Sequence, residues 1–81
     1  MTTRFKLRAE CLQDVLDFIN KVPKKIWKIK IEQWDFLPDV DFEFTSEMTL
    51  DDIKLVLSKI QDSHVMMDTI NPIEKYTGER F

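Results

Sequence analysis

One cysteine, one histidine and one glycine occur in 81 residues, and no apolar run approaches the length of a membrane span. A lone thiol, Cys11, cannot close an internal disulfide, and with His64 as the only imidazole no zinc ligand set of the usual Cys/His kind can be assembled. Stability therefore has to come from packing. The single glycine, Gly78, lies near the C-terminus, so no glycine-rich turn is available after the first strand to cradle an anion. A membrane helix needs roughly 20 consecutive apolar residues. Met1 to Arg8 alternates cationic with apolar side chains, unlike the continuous apolar stretch of a signal peptide. A cytoplasmic protein without membrane contact is expected, and no motif calls for a cofactor or a metal.

What is present is the balance of a globular chain, 43% hydrophobic and 33% charged. A chain this short buries only about 60 to 65% of its unfolded surface and cannot divide that between two cores. One domain over residues 1–71, followed by a polar tail over 72–81, is the expected organisation. The net charge of −3 conceals an asymmetry. Residues 1–31 carry +5 and residues 32–81 carry −8, yet both charge sets are threaded through periodic apolar positions instead of standing in blocks. Two complementary halves of one fold explain this better than a basic arm or an acidic tail.

Arg4 to Ala9 alternates strictly, Phe5, Leu7 and Ala9 against Arg4, Lys6 and Arg8, the mark of a half-buried strand. From Glu10 to Lys21 the period changes: Leu12, Val15, Leu16 and Ile19 form a helical stripe, with Cys11, Phe18 and Val22 beside it. Pro23 ends the helix. Alternation returns in Trp27, Ile29 and Ile31, then in Val40, Phe42 and Phe44, with a loop from Gln33 to Asp39 that contains Pro38. Thr49 and Asp52 have the spacing of a capping box, Met48 and Ile53 that of a hydrophobic staple, and Leu50, Ile53, Val56, Leu57 and Ile60 follow as a buried stripe. His64 to Ile70 reads as a last strand closed by Asn71 and Pro72, with Val65 and Met67 facing inward and Met66 and Ile70 outward.

Strand, helix, strand, strand, helix, strand resembles the ferredoxin-like βαββαβ superfold: an α+β sandwich with a four-stranded antiparallel sheet in order 4-1-3-2 and two helices on one face. That superfold carries no single function. In this order the cationic strands, with Arg4, Lys6 and Arg8 on the first and Lys28 and Lys30 on the second, both border the acidic third strand with Asp41 and Glu43, so opposite charges become neighbours on the open face. Cross-strand pairs of this kind set the register. The RNA-binding use of the superfold stacks bases on aromatic residues of the central strands. Here Lys6, Asp41 and Glu43 hold those positions. Trp27, in phase with Ile29 and Ile31, reads as core, which leaves nucleic acid as the third-ranked partner despite the nearby Lys24, Lys25, Lys28 and Lys30.

Among candidate sites, Cys11 at the start of the first helix and His64 at the start of the expected fourth strand fall at one end of adjacent strands. A helix N-terminus lowers a thiol pKa and an imidazole can take its proton. The plainer account is a small buried cysteine beside an unrelated surface histidine, and no oxyanion-hole signature accompanies the pair. Asp14, Asp17, Asp51 and Asp52 read as solvated-face and helix-terminus carboxylates. The loop Trp34-Asp35-Phe36-Leu37-Pro38 is more telling, because it sets three large apolar side chains where loops are polar. A cover is expected, from the hairpin folding back on the chain, the tail residues Tyr76 and Phe81, a second subunit or a partner protein, with Met66 and Ile70 on an edge strand adding to the surface.

The sequence thus favours a non-enzymatic, self-associating interaction module, most simply a homodimer. The alternative from a different class is a small enzyme or ligand-binding regulator that uses the Cys11/His64 end of the sheet.

Overall fold

Two-residue alternation builds the three long strands of the computed structural model, which describes residues 2–22, 24–60 and 63–73. Strand β1 (Thr3–Ala9) buries Phe5, Leu7 and Ala9 and exposes Arg4, Lys6 and Arg8. Strand β3 (Val40–Ser46) buries Val40, Phe42 and Phe44. The two pair antiparallel with Phe5 opposite Phe44, Lys6 opposite Glu43, Leu7 opposite Phe42 and Arg8 opposite Asp41. Apolar residues therefore meet on one face and opposite charges on the other.

Helix α1 (Leu12–Lys21) crosses from β1 to strand β2 (Ile26–Gln33), and Val22 has already left the helical region ahead of Pro23. Of the expected stripe Val15 is buried and Ile19 partly so, joined by Phe18 and Val22 beside it, while Leu12 and Leu16 are exposed. Ring size decides the rotation. Phe18 fits against both Phe42 and Phe44, with ring centroids 6.0 and 5.4 Å away, and a buried phenyl removes more apolar surface from water than a leucine. Phe5 stacks on Phe44 at 5.5 Å, which completes an aromatic cluster at the centre of the core.

Helix α2 (Leu50–Leu57) opens on the expected capping box. The Thr49 hydroxyl accepts the Asp52 N–H at 3.1 Å, and the Thr49 N–H donates to the Asp52 carboxylate at 3.4 Å. Ile53 and Leu57 are fully buried, Leu50 and Val56 partly so.

The segment expected as a fourth strand is a helix. Helix α3 (His64–Thr69) precedes a strand β4 of two residues, Asn71–Pro72. Met66 and Ile70, expected outside, are buried at 1% and 3% exposure, while Val65 and Met67, expected inside, are only partly buried. Helical spacing joins Ser63, Met66 and Ile70 on one side, where packing against the core outweighs the alternation. Thr69 stabilises the turn by donating to the Val65 carbonyl four residues earlier at 2.7 Å.

All pairings are antiparallel, in the order β2-β3-β1-β4, which runs 4-1-3-2 when read from the β4 edge. The architecture is α+β, with three helices and a four-stranded sheet whose last member is vestigial. The hydroxyl of Thr69 makes up for the missing strand. It accepts the Arg8 N–H at 2.8 Å, at the position that the β1/β4 register would assign to a strand residue. Farther along, the Ile73 N–H donates to the Arg4 carbonyl at 2.7 Å.

Candidate functional site

Strand β2 breaks the expected phase. Trp27 lies opposite Thr45 and Lys30 opposite Glu43, so two residues, Lys28 and Ile29, share the place facing Phe44. Lys28 takes a positive φ of 55°, the left-handed conformation that lets the chain bulge. Before the bulge Trp27 is on the open face with Thr45 and Arg4; after it Ile31, opposite Phe42, is on the helix-covered face. Trp27 is therefore not in phase with Ile31 and is about one-third exposed, a correction to its reading as core.

The open face is a charge lattice built on this register. Arg4 donates to Glu43 at 2.9 Å, and Arg8 lies 3.7 Å from Asp41. The arginines are exposed and their carboxylates only partly buried, so each pair contributes at most about 1 kcal/mol and chiefly fixes alignment. At the outer strand the lattice is incomplete: Glu32 sits opposite the acidic Asp41, and Lys30 opposite a Glu43 that Arg4 already engages. Among the described residues neither Lys30 nor Glu32 takes part in a salt bridge.

The hairpin loop that follows is tied by the Trp34 N–H donating to the Asp39 carbonyl at 3.0 Å. Trp34 has an internal cover, since the Arg8 guanidinium lies 4.4 Å from its ring centroid, a cation–π contact across the open face. Phe36 has none among the described residues: it is 95% exposed at the tip, and Leu37 is 51% exposed beside it. Ile29 and Ile31 are about 40% exposed along β2. Leu12 and Leu16 of α1 and Leu55 of α2 are exposed as well.

The remaining candidates are distributed differently. Met66 and Ile70 belong to the core of the chain and are not available at an edge. Tyr76 and Phe81 lie outside the described residues. Cys11 is the N-cap of α1, partly buried, and makes no side-chain cap hydrogen bond. His64 opens α3 at the same end of the sheet, where its Nε2 lies 3.7 Å from a Glu10 carboxylate oxygen. The imidazole is thus brought to the neighbour of Cys11, and no hydrogen bond joins it to the thiol among the described residues. No cluster of three or more His, Cys, Asp or Glu side chains among the described residues has the arrangement of a metal site. No helix there is long and apolar enough to cross a membrane.

Sequence reasoning missed the residues that hold the site in place. Ser46 is fully buried; its hydroxyl donates to the Lys25 carbonyl at 2.7 Å and accepts the Met48 N–H at 3.0 Å, which fastens the start of β2 to the end of β3. The Lys28 bulge left no mark either, because the residue types that usually occupy a left-handed position, glycine and asparagine, are absent there.

Comparison with models of protein families, with curated proteins and with solved structures finds no match to this chain.

Proposed function

We propose that this chain is a self-associating interaction module on a ferredoxin-like scaffold in which α3 and a two-residue strand replace the usual last strand. The observation that carries the reading is the run of exposed apolar side chains Ile29, Ile31, Phe36 and Leu37 along the outer strand β2 and its hairpin. Scattered apolar residues are ordinary on a protein surface, whereas a run of them along a strand whose outer edge is free marks a surface that gains by being covered. Sedimentation equilibrium from low to high micromolar concentration tests the reading. A concentration-dependent dimer is expected, and a monomer throughout overturns it.

A second reading, a small enzyme working at the Cys11/His64 end, draws on the approach of His64 to Glu10. It requires Cys11 to react with iodoacetamide at neutral pH faster than a free thiol and to slow when His64 is replaced by alanine. An inert thiol discards it.

A further inference from the structure

We propose that self-association runs through β2, which pairs antiparallel with β2 of a second copy about a twofold axis at Ile31 and joins two four-stranded sheets into one of eight. The inference rests on the self-association reading above and goes beyond it by naming the edge, the register and the side chains that select it.

The two margins of the sheet differ in what they leave unbonded. On the β1 side the Arg8 N–H is taken by Thr69, and the Arg4 carbonyl accepts from Ile73. On the β2 side eight residues form the outer strand, and nothing among the described residues pairs with its free margin. The bulge at Lys28 spoils the first half of that margin for pairing, which leaves the stretch around Ile31.

In an antiparallel ladder each residue sends its N–H and C=O to one side, and successive residues alternate. The bond from Trp34 to Asp39 makes that pair a hydrogen-bonded one. Counting back along the register, Glu32 and Lys30 direct their backbone groups at β3, and Gln33 and Ile31 direct theirs outward. The far side of the sheet gives the same phase. Arg4 and Arg8 bond away from β3, so Phe5, Leu7 and Ala9 bond to Phe44, Phe42 and Val40, which leaves Asp41 and Glu43 to bond with Glu32 and Lys30.

An incoming antiparallel copy must set outward residue against outward residue, so its register moves in steps of two. With Ile31 opposite Ile31 of the second copy, Lys30 meets Glu32 on both sides of the axis, and the incomplete charge lattice is closed twice. A shift that sets Ile31 opposite Gln33 brings Glu32 against Glu32. The opposite shift, Ile31 against Ile29, brings Lys30 against Lys30. Like charges directly opposite are destabilising, so one register of the three is favoured. A lysine on an edge strand ordinarily repels a neighbouring strand; here its counter-charge stands two residues away, at the spacing a twofold axis on Ile31 requires. The Ile31 side chains then meet on the helix-covered face.

Cysteine cross-linking reads the register directly. In a Cys11→Ala background, Ile31→Cys sets two thiols on the axis with Cα atoms about 5.5 Å apart, inside the roughly 4.4–6.8 Å range of a disulfide. Lys30→Cys and Glu32→Cys do not. Mild oxidation is expected to trap a covalent dimer for Ile31→Cys alone. Charge reversal is the second measurement. Lys30→Glu and Glu32→Lys should each weaken the dimer about tenfold or more, and the double variant should restore it, because the pairs are exchanged without loss of complementarity. A dimer that cross-links at position 30 or 32, or at none of the three, or whose affinity ignores the reversals, overturns the register and leaves self-association standing. A chain that stays monomeric at high micromolar concentration overturns both.

Discussion

Ser46 illustrates how much a single polar side chain can hold. A fully buried hydroxyl with one partner on each side replaces two lost contacts with water, and its removal orphans the Lys25 carbonyl and the Met48 N–H together. Ser46→Ala should therefore cost about 1–3 kcal/mol, seen as a lower urea midpoint at unchanged slope. Residues of this kind are hard to read in advance, because a serine at a strand end carries no periodic signal. The aromatic core was legible for the opposite reason. Phe5 and Leu7, and likewise Phe42 and Phe44, repeat every second residue between charges, and period alone decides their side of the sheet. Lys28 lies between these cases. Its side chain fits an alternating strand, but its backbone is left-handed, and a β-branched residue there is more strained still. Lys28→Val should lower stability by roughly 1–3 kcal/mol, measurable by denaturant titration.

Secondary-structure elements differ in how plainly they announce themselves. The start of α2 was written in Thr49 and Asp52, and the hydrogen bonds between them are the ones their spacing calls for. Thr49→Ala should lower stability by about 1 kcal/mol and fray the first turn. Helix α3 gave no such notice. Six residues span fewer than two turns, too few to separate a period of 3.6 from one of 2, and Ser63 spends its hydroxyl on the Leu57 carbonyl instead of capping α3. The same ambiguity misplaced Met66 and Ile70 among exposed residues. Thr69 then becomes a structural element by itself, one hydroxyl in place of a strand. Thr69→Val keeps the shape and removes the acceptor. The Arg8 amide should lose hydrogen-exchange protection, and global stability should fall by about 0.5–1.5 kcal/mol.

For the molecule as a whole, the apolar hairpin and the α+β layering were visible in the sequence, and the place of β2 at an edge followed from the expected strand order. The part of that edge left free for pairing did not, since it depends on the bulge at Lys28. Ile31→Lys separates folding from association. The site is about two-fifths exposed, so the thermal midpoint should move little, yet the dimer should be lost in sedimentation. The closed edge has a consequence of its own. Pro72 sits at the outer face of β4, in the position whose backbone points away from β1, and proline has no N–H to offer a further strand. Under the proposed β2 pairing only one edge of the sheet is adhesive: the described part of the β4 edge presents no N–H at Pro72, so association would stop at a pair instead of extending into a fibril.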